Sequence, residues 1–232
     1  MNPPVWVVIP TRNEERARTA CLRWTERGYK TFAILDDGTP WECGAHRHQY
    51  VTWTGYWDVC NAAALDLVES GAARTVVLAA DDMDPDPNYA PDVIESECYA
   101  RYPDGYFVMQ PCGDDQHGMD GVWRICGSPW FGDGWIRSAY GGRGPCPLPY
   151  RHFYGDEELF NVAKTQCVLW QREGLSHFHH HWCRNDEHKT KRLDYQRENS
   201  DKWWEHDKAL FMSRMAAGFP GSERACTTSR PS

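Results

Sequence analysis

Residues Thr75 to Pro87 (TVVLAADDMDPDP) bring Asp81, Asp82, Asp84 and Asp86 into one short stretch. Carboxylates this close repel one another, and a bound divalent cation is a common way to keep several of them ionised. A solvated acidic turn, with Asp as turn former, is the ordinary alternative for an isolated D-D-x-D. Two other stretches carry groups of the same kind. Asp156 lies in GDEEL, at the start of an apolar helical pattern. A carboxylate there is held by backbone N–H groups, which would lower its pKa, and its use as a base depends on placement against a hydroxyl. The same residue also fits an N-cap, with Glu157 and Glu158 as first-turn acids. In LSHFHHHW, His177, His179 and His181 alternate, so an extended chain puts them on one face. A polar strand edge explains that pattern equally well.

These groups need elements to position them. Val76 to Ala80 form a short apolar run suited to a strand buried on both faces, and Pro85 and Pro87 stop the ladder, so the acids fall just past the strand end. In open α/β sheets that carboxyl edge is where ligands bind. Val5 to Ile9 predict a first strand ended by Pro10, and Asn13 caps a helix with Glu14 and Glu15 in its first turn and Gly28 at its end. Lys30 to Leu35 predict a second strand, running into Asp36-Asp37-Gly38. The β-α-β start has no G-x-G-x-x-G between strand and helix, which argues against a dinucleotide site.

Further along, the patterns predict a short strand near Gln49 to Trp53 and helices over Tyr56–Ser70 and Pro91–Tyr102. A strand over Gly105–Gln110 follows, then loops from Pro111 to Pro149 with one short helix near Phe131 to Tyr140. A helix over Asp156–Arg172, a strand over Leu175–Trp182 and an amphipathic helix of mixed charge over about Asp194–Met215 complete the chain, and the tail after Gly218 is expected to be mobile.

The 232 residues suit one α/β domain with a small appendage. A net charge of −8 excludes a strongly basic nucleic-acid footprint for the chain as a whole, though not a local patch. The ten Cys include no C-x-x-C, so a structural zinc site is a poor fit. With Met1-Asn2-Pro3-Pro4 leading straight into a strand, the expectation is buried free thiols in a cytoplasmic protein, the host cytoplasm if phage-encoded. No apolar run is long enough to span a bilayer. Twelve Trp are not ordinary; some are expected in the core, and aromatic faces also form stacking platforms for sugars and bases.

VVIPTRNE at the first strand, DDG after the second, the acidic cluster, YGDEEL and HFHHHW occur in this order over roughly residues 5 to 182. The ordered set resembles the family-two type of GT-A nucleotide-sugar glycosyltransferases, most of all the small stand-alone versions of phages and bacteria. The resemblance implies a Rossmann-like three-layer α/β sandwich with a mostly parallel central sheet over residues 1–182. A C-terminal helical extension, 183–217, would pack on it, with 218–232 as the tail. It implies that Pro10, Thr11 and Asn13 form the first nucleotide-contacting turn and that Asp36 reads the base, usually uracil. The family's D-x-D metal motif falls on the acidic stretch, but with a departure. The best-matching register puts Ala79 at the first position and leaves only Asp81, beside the nucleotide. The alternative, Asp82-Met83-Asp84, restores two acids at the required spacing and is favoured as the ligand pair for Mn²⁺ or Mg²⁺. His181, then His179, would add an imidazole ligand, and Asp156 would be the catalytic base.

The activity so implied is transfer of a sugar from a UDP-sugar to a hydroxyl, with inversion. One candidate acceptor is a 5-hydroxymethylpyrimidine in phage-type DNA, stacked on Trp123, Trp130 and Trp135, with Arg124, Arg137, Arg143 and Arg151 on phosphates. A saccharide or cell-envelope glycan is the competing acceptor. A nucleotidyltransferase is a rival, weakened because Pro10 to Glu15 lack a glycine-rich basic loop. A non-enzymatic metal- or nucleic-acid-binding module is a further rival, and the scattered Cys argue against it.

Overall fold

Short runs of Val, Ile and Leu flanked by Pro, Gly and Asp form the centre of the protein. A computed structural model describes residues 3–36, 41–114, 124–184 and 186–225. The first run is β1 (Trp6–Thr11), followed by α1 (Glu14–Glu26), β2 (Lys30–Asp36), β3 (Arg47–Val51), α2 (Tyr56–Glu69) and β4 (Thr75–Leu78). Then come β5 (Met83–Asp84), α3 (Pro91–Arg101), β6 (Val108–Pro111), β7 (Trp130–Gly132) and α4 (Asp133–Ser138). The chain continues through α5 (Gly155–Thr165), β8 (Leu169–Arg172), β9 (Phe178–His179) and α6 (Asp194–Ala216).

The main sheet has the order β3-β2-β1-β4-β7-β6-β8, parallel except for β7, which runs against both neighbours. Strand side chains alternate between two cores. Val8, Phe32, Ile34 and Val76 face α2, α4 and α5, whereas Val7, Ile9, Ala33 and Val77 face α1 and α3. Both faces are therefore covered, giving the three layers that an almost continuously apolar parallel strand requires. The expected α/β sandwich is present.

The topology decides where a ligand can bind. From β1 the chain steps outward through β2 to β3, then returns to place β4 on the other side of β1. Connections diverge above the carboxyl ends of β1 and β4, which opens a crevice at that point. Thr11 and the residues just after β4 stand at its rim.

Several elements depart from the predicted ones. The segment read as loop plus a helix near Phe131 contains β7, and α4 begins only at Asp133. The helix predicted to Arg172 stops at Thr165; Cys167 turns with φ 57°, and β8 follows. The strand predicted over Leu175–Trp182 shrinks to Phe178–His179, paired with β5. Of the tail expected to be mobile, Gly221–Ala225 make contacts: Ala225 N–H donates to Ser138 O at 2.6 Å, Gly141 N–H donates to Glu223 O at 3.2 Å, and Gln166 Nε2 reaches Ser222 O at 3.1 Å.

The long helix α6 is tied to the sheet domain by two buried carboxylates. Glu158 of α5 is fully buried and receives Arg214 Nε and Nη2, each at 2.7 Å, and the Tyr150 hydroxyl at 2.7 Å. Asp207 of α6, also fully buried, accepts the backbone N–H groups of Arg151, His152 and Phe153 at 2.9–3.2 Å. Asp207 thus fixes the segment leading into α5. Replacing Arg214 by Ala strands the Glu158 charge in the core, and the expected loss is about 3–5 kcal/mol in urea unfolding. Glu158→Leu combined with Arg214→Met should cost much less than the single change. Equal losses in both variants would contradict the pairing argument.

Candidate functional site

A cavity of about 320 Å³ opens above the β1–β4 switch point, between the loop after β4, the start of α5 and the first half of α6. Pro10, Thr11, Asp81, Asp82, Asp156, His179 and His181 all line it, although they come from four separate stretches of sequence. Each is placed by a local cause. Thr11 ends β1 and donates its hydroxyl to Asp81 at 2.6 Å. Asp82 follows the turn after β4; its carbonyl accepts the His180 N–H at 2.7 Å, which brings the histidine segment alongside.

Asp81 and Asp82 are both nearly buried, and one cation serves them together. Arg16, from α1, reaches Asp81 at 3.4 Å and Asp82 at 3.3 Å, and also contacts the Tyr195 hydroxyl of α6 at 3.3 Å. His179 Nε2 lies 3.2 Å from Asp82. The two carboxyls respond in opposite directions. Burial, then the Asp82 charge, pushes Asp81 up, against Thr11, Arg16 and His179. Burial also opposes ionisation of Asp82, but His179 and Arg16 outweigh it and hold that carboxyl below its ordinary range.

The structure distributes the other predicted residues differently. Asp84 does not line the cavity; it is held by Arg23 at 2.7 Å and His180 at 2.8 Å. The favoured pair Asp82 and Asp84 is thereby parted, and of the four clustered acids it is Asp81 and Asp82 that line the cavity. Asn13 serves its helix, accepting Arg16 N–H at 3.0 Å, and stays outside the cavity lining. Asp36 pairs with Arg12 at 2.7 Å and lines an adjoining cavity of about 610 Å³ together with Trp53, Arg151, Lys202 and Trp203. Arg12 and Trp53 line both hollows, so they form one groove. His177 is buried, with its ring 2.6 Å from Ser128 Oγ, and does not share the face of His179 and His181.

Asp156 sits in the first turn of α5, where Tyr154, not Asp156, is the N-cap, in a left-handed conformation with φ 63°. A bulky residue in that region costs about 1–3 kcal/mol and is held only by its surroundings, here the Asp207 clasp on the preceding backbone. Gly155 is required beside it, since a Cβ there would collide with the Trp57 indole. Asp156 Oδ1 accepts Glu157 N–H at 3.1 Å. That bond lowers its pKa as expected, but burial outweighs it, so the carboxyl is raised from its ordinary value. His179 lines the same cavity as both acidic groups, and an imidazolium there would favour the charged form of Asp82 and of Asp156.

For a divalent ion, the donor types fit: carboxylate oxygens and imidazole nitrogens around one cavity. Among the described residues, however, no three of His, Cys, Asp or Glu converge as a metal-holding group. The acids meet Arg16 and His179 instead.

Of the residues singled out for a DNA acceptor, Arg151 lines the second hollow, and none of those described lines the first. Trp130 and Trp135 are fully buried in the two cores; Arg137 donates to Val68 O at 2.7 Å and Arg143 to Tyr140 O at 3.0 Å. Arg124 is exposed, Arg151 donates to Thr54 O at 3.1 Å, and Trp123 lies outside the described residues. Conversely, Arg16, Tyr195, Asn199 and Trp204 contribute to the site without having been picked out in the sequence. Arg16 lies in the helix capped by Asn13 and the other three in the mixed-charge C-terminal helix, where only polarity and aromaticity marked them.

Glu157 also lines the cavity, and burial, then the Asp156 charge, pushes its carboxyl up to about 7. A folded-state value above the unfolded one means that the native state binds more protons between roughly pH 4.5 and 7, so stability falls as pH rises through that window. Glu157→Gln should therefore raise the melting temperature at pH 8 and have little effect at pH 4.5. A larger gain at pH 4.5 would contradict this.

No family model and no curated protein matches the sequence. Solved structures do match in shape. S. aureus TarS superposes with a TM-score of 0.54 at 10% identity, covering 75% of this chain and 36% of that one. TarS 1–349 in complex with UDP gives 0.55 at 10% identity, covering 75% and 59%. A glycosyltransferase involved in glycosylation of the major capsid of PBCV-1 gives 0.40 at 10% identity, covering 74% and 82%. The chain thus spans about a third to three-fifths of the TarS chains it matches. At such identity the likeness establishes the architecture: a GT-A-like α/β fold with a seven-stranded, mostly parallel central sheet.

Proposed function

We propose that this protein is a nucleotide-sugar glycosyltransferase, moving a sugar from a UDP-sugar to a hydroxyl acceptor with inversion at the anomeric carbon. The observation that carries the reading is the shared cavity at the switch point, where Asp81, Asp82, His179 and Asp156 meet in a fold whose likeness includes a UDP-bound structure. The absence of a leading glycine-rich loop weighs against a nucleotidyltransferase.

The donor would lie along the groove. Its base belongs toward Asp36 in the second hollow, and its diphosphate beside Thr11 and Asp82 in the first. Asp82 with His179 and His181 would hold Mn²⁺ or Mg²⁺, which when bound supplies Lewis-acid neutralisation of the departing diphosphate. Releasing Asp82 from His179 and Arg16 is the adjustment this asks of the chain.

Asp156 would orient the acceptor hydroxyl and take its proton. The acceptor oxygen then bonds to the anomeric carbon as the bond from that carbon to the β-phosphate oxygen breaks, and the electron pair leaves with UDP. A transition state with oxocarbenium character is expected, and one in-line displacement inverts the centre. The raised pKa of Asp156 suits a proton acceptor better than an ordinary surface carboxylate would.

A panel of nucleotide sugars, each with and without Mn²⁺, identifies the donor by thermal shift. Saturation at about 100 Kd should stabilise the protein by about 2.7 kcal/mol, or roughly 5–10 °C at this chain length. Asp156→Asn should keep that shift while UDP release falls by about 10²–10⁴-fold. Turnover retained in Asp156→Asn would remove it from the role, and no shift with any nucleotide sugar would end the donor reading.

A further inference from the structure

The donor reading leaves the acceptor open, and the far end of the first cavity bears on it. Trp204 of α6 is 43% exposed, the one aromatic ring among the exposed large hydrophobic residues described. It is nonetheless held in place, with ring centroids 5.0 Å from Phe153 and 5.2 Å from Tyr154. Tyr154 in turn stacks on Phe211 at 5.4 Å, and Asp207 clasps the Phe153 backbone N–H at 2.9 Å. An exposed indole so fixed is a preorganised face with nothing described covering it.

The neighbours of that face specify what could lie on it. Trp204, Phe153 and Tyr154 share the cavity with Asp156 and Glu157, so the platform stands beside the group assigned to take the acceptor's proton. Gln196 and Asn199 of α6 add side-chain amides to the same lining. Arg12 is the one lysine or arginine lining this cavity among the described residues, and it is paired with Asp36 at 2.7 Å. A polyanion confined to this cavity would meet carboxylates there, whereas nucleic-acid binding relies on cations at the phosphates; Arg151 and Lys202 line the adjoining hollow, on the side assigned to the donor base. A neutral ring with an apolar C–H face and equatorial hydroxyls matches the lining: face on Trp204, hydroxyls to carboxylates and amides.

We infer that Trp204, backed by Phe153 and Tyr154, is the acceptor subsite and that it takes a pyranose ring of a neutral glycoside in place of a base flipped from DNA. This rests on the donor reading for its reaction, but the binding itself can be measured separately.

The test uses the full chain saturated with UDP. Methyl pyranosides of glucose, galactose and N-acetylglucosamine are titrated by saturation-transfer NMR. Ribitol serves as an acyclic polyol, and a duplex containing 5-hydroxymethylcytosine is followed by fluorescence anisotropy. At least one pyranoside should show saturation at its ring C–H protons and bind roughly tenfold more weakly to Trp204→Ala, the equivalent of about 1.4 kcal/mol. Trp204→Phe, which keeps a smaller face and protects against a folding failure of the Ala variant, should fall between. The UDP thermal shift should be unchanged in both. The inference is overturned if no pyranoside binds while UDP does, if the pyranosides bind Trp204→Ala as tightly as wild type, if ribitol binds as well as the rings, or if the duplex binds in a Trp204-dependent way. Loss of the UDP shift in the wild-type protein would instead strike the donor reading.

Discussion

Two adjacent carboxylates, Asp81 and Asp82, are forced into a nearly buried position at the end of a central strand. Neither can move away, because β4 is pinned between β1 and β7 and the turn behind it is tied to the histidine segment through the Asp82 carbonyl. Left alone, such a pair would drive one proton on or open the turn. The protein meets it with Thr11, Arg16 and His179, drawn from β1, α1 and the stretch around β9. These contacts bring the carboxyl end of β1, the first helix and the histidines into one place. A charge cluster that burial makes costly thus decides where the cavity lies, and the same cost makes it receptive to a ligand that brings positive charge or replaces Arg16.

A second set of buried charges keeps the opposite wall in position. Asp207 accepts three backbone N–H groups just ahead of α5, and Glu158 receives Arg214 from α6. These bonds hold Tyr154 in its left-handed conformation and set the angle at which Asp156 enters the cavity. The C-terminal helix therefore does more than cover the sheet: it supplies Tyr195 to the Arg16 cluster, carries Trp204 to the rim, and fixes the loop that aims Asp156. Stability and site geometry depend here on the same side chains. Glu157 shows the opposing side of that arrangement, since burial, then the Asp156 charge, raises its pKa and works against folding at neutral pH.

The sequence made the first half of the fold readable because each strand there is an uninterrupted apolar run with an acid or proline at its end, as in Val5–Pro10 and Thr75–Asp81. The same signal placed Asp81 and Asp82 at a strand's carboxyl end, whereas Thr11 and Asp156 were marked through the family resemblance. It failed where structure depends on distant partners. β7 is three residues long and runs between β4 and β6 because Gly132 lets it approach the Gly105 carbonyl and Phe107 ring; no periodicity announces that. β8 was hidden because Val168 to Trp170 continue an apolar pattern that suits helix as well as strand, and only the left-handed turn at Cys167 separates them. The histidines misled in a different way: alternation put His177 with His179 and His181, but a strand of two residues cannot keep three side chains on one face. Trp204 and Tyr195 were missed because the helix read as amphipathic buries only Asp207 and Phe211, so its pattern did not indicate which side meets the domain.

Amide hydrogen exchange by mass spectrometry, with and without saturating UDP, tests most directly whether the β1–β4 crevice is where a nucleotide diphosphate binds. Exchange should slow in the peptides spanning Val8–Arg16 and Leu78–Met83, with smaller effects over Trp53–Trp57, and remain unchanged along β8 and α3. Protection confined to β8 and α3, or no protection under conditions where UDP demonstrably binds, would contradict the account.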